Sequence, residues 1–428
     1  MELAILLLLL FGFIALGVPV AFAMGLASTV FILLSPGQIP LEVLPQRMIA
    51  GMDSFSLLAI PFFYLAGELM NAGGITQRLV AVSQAFVGHF RGGLSHVVVL
   101  SNMLMAGVSG SAVADCAATG SVLIPAMKRA GYGAAYSSAL TAAAATIGPI
   151  IPPSIPMIVL GILTNLSIGR LFLGGAVPGL LMGFYLMVTS YLISRRRGYE
   201  PAPRATWPER ARAVWSAFFA LLMPVVVLGG IVAGAMTPTE AGAVAALYAL
   251  LVGLFVYRGL ALSDLPRVLG RAASGAAVVL LILSASYVFG WLLANMRVGD
   301  TIVATVQGIS TERWVVLLVI NLFFLAWGMV LDPVPALIIL VPMFLPLIQK
   351  VGIDPIHFGV VVVLNLMIGL VTPPVGFLVY LTSSLGQVAV GEAFKEALPF
   401  IAALLVVLLL TTYIPPLVLW LPTLLMGR

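Results

Sequence analysis

Charge is what this sequence has least of. Of its 428 residues, 20 are Lys or Arg and 15 are Asp or Glu, 8% of the chain, against 62% hydrophobic residues. Soluble domains carry about 25% charged residues, so this chain has too few to cover a water-facing surface, and a soluble globular fold is excluded. The single cysteine, Cys116, rules out an intramolecular disulfide and any multi-cysteine metal site. His89, His96 and His357 do not form a metal-ligand cluster and read as packing residues near the interface. No phosphate-cradling P-loop is present, so the chain does not hydrolyse ATP itself. No nucleophile stands at a useful spacing from a base, and Cys116 beside Asp115 reads as a small packing residue. The net charge of +5 rests on too few side chains to build a nucleic-acid-binding face.

What the chain has is long apolar runs. A helix crosses a hydrocarbon core of roughly 30 Å in about 20 residues, and at ~35 residues per helix and connection the chain holds about a dozen segments. Glycine and proline occur within the runs and short alternating strands do not, which indicates helices rather than a barrel. The fold class is an all-α polytopic membrane protein with the lipid bilayer as its solvent. Met1 to Ala23 imitates a secretion signal but has Glu2 where a basic region belongs, so it reads as a retained first helix. Its lack of positive charge places the N-terminus away from the cytoplasm. The strongly charged stretch from Arg195-Arg196-Arg197 through Arg204, Arg210 and Arg212, interrupted by Pro201, Pro203 and Pro208, reads as a cytoplasmic linker over 195–213.

The two sides of that linker, 1–194 and 214–428, share a pattern. Gly148-Pro149-Ile150-Ile151-Pro152-Pro153 has the form G-x-x-x-P-P, and Gly369-Leu370-Val371-Thr372-Pro373-Pro374 repeats it 221 residues later. Proline removes a backbone donor and glycine lets the chain unwind, so the apolar stretches 134–165 and 356–386 are each expected to split into two half-helices. One such break is ordinary in a membrane helix; two at matched positions point to a transporter's binding site. Upstream of each break lies a pair of apolar stretches. The pair 94–108 and 112–127 is separated by Ser109-Gly110-Ser111; the pair 312–328 and 335–349 is separated around Gly328, Asp332, Pro333 and Pro335. The first arm is only about 22 Å long at 1.5 Å per residue. We read 94–130 and 312–350 as re-entrant hairpins whose tips stop inside the membrane, the alternative being pairs of short full crossings. Weaker echoes are Gly17-Val18-Pro19 against Met236-Thr237-Pro238, and Gly67 against Gly290.

Five full crossings and one hairpin per half would invert the second half relative to the first. With the linker in the cytoplasm, fourteen Lys and Arg residues fall inside, and only Arg47, Arg170, Arg297, Arg313, Lys350 and Arg428 fall outside, an asymmetry in the sense of the positive-inside rule. Both termini are then external.

Polar groups within the apolar segments are costly and mark function. Asp115 follows the first tip and Asp332 lies at the second, with Ser109, Ser111, Thr119, Ser154 and Thr372 around them. Hydroxyls, carboxylates and unwound carbonyls suit a sodium ion, while half-helix N-termini suit an anionic substrate. The candidate substrate- and sodium-binding set is Ser109, Gly110, Ser111, Asp115, Thr119, Gly148, Pro152, Pro153, Ser154, Gly328, Asp332, Gly369, Thr372, Pro373, Pro374 and Gly376. Any single hydroxyl is as well explained by bonding back to its helix, and Asp by capping a helix start. Glu68 and Glu240 are assigned to no site. Ile75 to Phe90, with Gln77, Arg78 and Gln84 among apolar residues, reads as an interfacial helix.

The run Ser109-Gly110-Ser111-Ala112-Val113-Ala114-Asp115, then Ile124-Pro125-Ala126-Met127 and Gly131-Tyr132, resembles the large membrane subunit of tripartite ATP-independent periplasmic (TRAP) transporters, the DctM-like family. Gly148 to Ser154, Thr237-Pro238-Thr239-Glu240-Ala241-Gly242 and Thr372-Pro373-Pro374 match it too, and the similarity covers essentially the whole chain. The resemblance implies a sodium-coupled importer of carboxylate-bearing solutes (C4-dicarboxylates, sialic acids or other organic acids) in the bacterial inner membrane. It implies two partners, a small membrane subunit of four helices and a periplasmic substrate-binding protein, and an elevator mechanism with scaffold and transport domains. No organic cofactor is expected, sodium being a coupling ion. The competing readings are a single-component sodium–carboxylate carrier of related architecture, a passive channel and, last, an intramembrane enzyme.

Overall fold

Glycine and proline set the helix boundaries in the computed structural model, which describes residues 2–35, 39–310 and 312–427. Met1 and Arg428, the latter counted above among the external basic residues, lie outside the described residues. Among those described there are twenty α-helices and no strand. Seven stretches are long and apolar enough to cross a membrane: Phe55–Ala72, Ile168–Arg197, Trp207–Val232, Pro238–Val256, Leu262–Asn295, Pro333–Val351 and Val390–Tyr413. Most of the rest are apolar helices of 10–17 residues, at or below the length that crosses unaided, so the dozen segments expected from ~35 residues per helix and connection include many short ones. The run Met1 to Ala23, expected as one helix, is two. Glu2–Ala15 ends where Gly17 takes a φ of +83°, and Val20–Leu34 begins after Pro19, whose missing N–H costs nothing at a helix start.

Helix order after the basic linker follows the order before it. Gly93 and Arg313, Ala112 and Pro333, Ala134 and Pro355, Ile155 and Phe377, and Ile168 and Val390 each begin corresponding helices 220 to 222 residues apart. Two sets of neighbouring helices can be followed, and they touch through Ala59–Ala72 on Gly93–Ser109 and Leu265–Asn295 on Pro333–Val351. Ala59–Ala72 lies against Pro238–Leu251 and Leu265–Asn295, with Val20–Leu34 on the last. The second group joins Ala134–Ala145, Ile168–Arg197, Pro355–Gly369 and Val390–Tyr413 to the paired helices Gly93–Ser109 with Ala112–Arg129 and Arg313–Gly328 with Pro333–Val351. Phe377–Gly386, from the second half, packs on Ala112–Arg129 and Ala134–Ala145 of the first, and Lys128 Nζ donates to the Gly386 carbonyl at 2.9 Å. The stretch Ile75 to Phe90, read as an interfacial helix, holds the helix Ile75–Val87. It buries Leu79 and Val82 against Gly93–Ser109 and Trp207–Val232, while Arg78 lies 4.0 Å from the Tyr257 ring centroid.

Some polar residues between buried helices are paired across them. Asn365 Nδ2 donates to Asn321 Oδ1 at 2.6 Å, and Asn321 Nδ2 donates to Thr412 Oγ1 at 2.9 Å, tying three helices of the second half. Asn365→Ala leaves Asn321 Oδ1 unpaired in an apolar surrounding and should lower stability by about 1–2 kcal/mol. Arg197→Ala breaks an ion pair to Glu396 at 2.8 Å whose side chains are 38% and 27% exposed, and should change stability by less than about 1 kcal/mol. Thermal unfolding of the two purified variants beside the parent protein checks the order.

Candidate functional site

The first break forms because three prolines and a glycine fall within seven residues. Helix Ala134–Ala145 ends in turns at Ile147 and Gly148, and Pro149, Pro152 and Pro153 then offer no N–H to continue it. The helix restarts at Ile155, where Ser154 accepts from Met157 N–H at 3.2 Å and donates back to the Pro149 carbonyl. Ser154 therefore caps the second half-helix and closes the break. The second break lies between Pro355–Gly369 and Phe377–Gly386. Here Thr372 Oγ1 donates to the Ile368 carbonyl at 2.7 Å, bonding back to its own helix, and Gly376 starts the next one with a φ of +52° and no side-chain cap. The Pro152–Pro153 and Pro373–Pro374 bonds are both cis.

Each hairpin tip rests on the break of its own half. Gly110 turns the first tip with a φ of +62°; a Cβ there would strike the Pro153 carbonyl and lie 3.4 Å from Ile155 N. In the second half Gly369 meets Gly328 so closely that a Cβ on Gly369 would lie 2.6 Å from Gly328 Cα. Only glycine permits this approach.

Around the first tip the polar groups form a chain. Ser109 Oγ donates to Asp115 Oδ1 and accepts from Ser111 N–H at 3.2 Å. Thr119 donates to the Asp115 carbonyl at 2.6 Å and to Asn102 Oδ1 at 3.3 Å. Asp115 is fully buried, and its Oδ2 faces Gly148 with no hydrogen-bond partner among the described residues. A buried carboxylate oxygen left open against the unwound segment at Gly148 suits a small hard cation. At the second tip Asp332 caps Pro333–Val351 by accepting from Val334 N–H at 3.2 Å.

Both tips open on one cavity of about 400 Å³, to which Ser109, Gly110, Ser111 and Asp332 of the candidate set contribute. Gly328 and Asp332 also line a smaller cavity of about 210 Å³ with Phe377. Asp115, Thr119 and Gly148 stand behind the first tip, and Pro152, Pro153 and Ser154 support it. Gly369, Thr372, Pro373, Pro374 and Gly376 shape the second break and line neither cavity. Glu240 belongs elsewhere: it accepts from Thr237 N–H at 2.7 Å in a capping box. The sequence reading missed a wall formed by Tyr64, Gly67, Glu68 and Asn71 of Ala59–Ala72. Their spacing of i, i+3, i+4 and i+7 puts three polar groups on one face of an apolar helix, the signal that would have found them.

Residues 7–417 match the profile of the DctM component of tripartite ATP-independent periplasmic transporters. The chain belongs to that family. It is 41% identical over 421 residues to the sialic acid TRAP transporter large permease protein SiaM of Vibrio cholerae, covering 98% of both chains. It is 41% identical over 401 residues to the C4-dicarboxylate TRAP transporter large permease protein DctM of Pseudomonas aeruginosa, covering 94% of this chain and 93% of that one. The solved structure of the YdaH transporter of Alcanivorax borkumensis, described as having an unusual topology, shares the fold with a TM-score of 0.61 at 14% identity, over 85% of this chain and 86% of that one. The family resemblance read from the motifs therefore holds: this is a multi-pass TRAP permease, and its relatives are named as permeases, not enzymes.

In this TRAP permease the glycines at the tip and break contacts are the sharpest test of the site. Gly148→Ala sets a methyl against the Asp115 carboxylate and should cost about 1–3 kcal/mol. Gly290→Ala, with nothing within 4 Å, should hold stability or raise it by up to about 1 kcal/mol. Unfolding midpoints of the two variants in one detergent measure the contrast.

Proposed function

We propose that this chain is the membrane pathway of a sodium-driven importer that takes a carboxylate-bearing organic acid from a periplasmic binding protein and releases it to the cytoplasm. The observation that carries the reading is the shared cavity: two tips from different halves of the chain meet there, and a buried unpartnered carboxylate oxygen lies directly behind one of them. Asp115, Ser109 and the carbonyls of the first break would hold one sodium ion, with a second at Asp332 and the second break. Neither group is a redox or acid–base catalyst; each supplies oxygen ligands. The substrate carboxylate would face the N-termini of Ala112–Arg129 and Pro333–Val351, which carry partial positive charge. The sialic acid and C4-dicarboxylate in the relatives' names support an organic acid as cargo.

The matched helix order supports two repeats of inverted topology, 1–194 and 214–428, with both termini periplasmic in the inner membrane. The two packed groups of helices support an elevator, in which hairpins and broken helices move as the transport domain past a scaffold. A small four-helix subunit would broaden that scaffold. Coupling is constrained by charge: one net charge crossing 100 mV supplies about 2.3 kcal/mol. A dianion with two sodium ions draws nothing from the potential, so electrogenic uptake of a dianion needs a further cation.

Uptake of sialic acid or succinate by proteoliposomes holding the chain, its small subunit and its cognate binding protein tests the reading. Uptake should require an inward sodium gradient and the binding protein; indifference to sodium overturns it. Asp115→Asn, Asp332→Ala and Ser111→Ala should each lower sodium-driven uptake at least about tenfold, equivalent to ~1.4 kcal/mol, with membrane insertion preserved on a quantitative blot. Equal loss of uptake and insertion would assign these residues to structure alone.

A further inference from the structure

The wall that the sequence reading missed carries a carboxylate for which the scheme above has no use. Glu68 lines the cavity from Ala59–Ala72, a helix that belongs to neither hairpin and neither break. Among the described residues it enters no ion pair, and one turn along the same face Asn71 Oδ1 is buried without a partner. The second carboxylate on the lining is Asp332, and no Lys, Arg or His lines the cavity. Against these two negative charges stand the N-termini of Ala112–Arg129, Ile155–Thr164 and Pro333–Val351, each equivalent to roughly half a positive charge. All three already give an N–H to their own caps, Ser111, Ser154 and Asp332. The remaining N–H groups of these helix starts can still face an organic anion, but among the described residues the lining offers it two carboxylates and no side chain of positive charge.

We propose that Glu68 is a cation-coupling residue: its carboxylate makes occupation of the cavity by the organic anion conditional on one further monovalent cation entering with it. The inference rests on the reading that the cavity takes a carboxylate substrate. Ala59–Ala72 packs on Pro238–Leu251 and Leu265–Asn295, in the other group of helices from the tips. Glu68 is thus part of the wall the tips face, on a helix that touches the first tip at Gly67 and Ser109 but forms no part of either tip or break. Glu68 acts by setting the charge that the substrate meets, with Asn71 Oδ1 offering the cation a second oxygen.

The test uses the full chain with its small subunit, purified in nanodiscs, and sodium chloride titrated against choline chloride at constant ionic strength. Sialic acid and succinate are the probe anions, and the readout is the rise in unfolding midpoint on anion binding. The slope of that rise against sodium counts the ions taken up with the anion. Glu68→Gln should lower the slope by about one ion and let the anion bind at several-fold lower sodium. Glu68→Asp, which keeps the charge, should keep the slope and shift the half-saturating sodium concentration several-fold. A Glu68→Gln titration with parental slope and half-saturation overturns the proposal. Should Glu68→Gln fail to fold, Glu68→Ala is titrated in its place, and a parental slope and half-saturation there overturn the proposal. Anion binding to the parent protein without sodium would sink the sodium-driven reading itself, a result distinct from either of these.

Discussion

Everything at the centre of this protein depends on backbone meeting backbone without a side chain between. Exposed peptide groups at mid-depth in a membrane are tolerated only inside protein or beside a water-lined cavity. The two breaks and the turns between the paired helices leave peptide groups outside regular helix, and each turn meets the break of its own half: Gly110 on the Pro153 carbonyl, Gly328 on Gly369. Remove that contact and the turn between the paired helices loses the surface it rests on. The polar chemistry is secondary to it, because Ser109, Asp115 and Asp332 reach the cavity region only where the tips are held.

The breaks and tips were legible in the sequence because their causes are local. Proline alone was not the signal. Pro178, Pro224 and Pro399 each sit inside an unbroken helix; at the breaks a glycine precedes paired prolines, and in the first half Ser154 caps the restart. Local chemistry also explains where the reading of single residues divided. Thr372 and Glu240 spend their polar atoms on their own helices, as side chains near helix ends commonly do. Asp332 does both, capping a helix and lining the cavity.

What the sequence did not yield depends on distant segments. Glu68 becomes a cavity residue only because Ala59–Ala72 passes beside two tips, the second of them more than 200 residues along the chain. Nothing near Asn365 announces that its partner is Asn321. The candidate set holds two kinds of residue, the prolines and glycines that shape the second break and the residues that face the cavity, and spacing along the chain separates the two poorly. The scarcity of charge had a further effect. With so few acidic residues available, only one ion pair forms among the described residues, so cohesion falls to apolar packing and short polar ties.

One of those ties has a bearing on how the protein is made. Lys128 and the Gly386 carbonyl it holds are 258 residues apart, and the helix ending at Gly386 covers the outer arm of the first hairpin. At ~5–20 residues per second a ribosome needs roughly 13 to 50 s to span that distance. Throughout that interval Ala112–Arg129 and Ala134–Ala145 lack the helix that packs on them, and the amino-terminal half cannot reach its finished packing until the carboxyl-terminal half has been translated. Expressed alone it should be a substrate for membrane quality-control proteases, and the two halves supplied as separate polypeptides should protect each other.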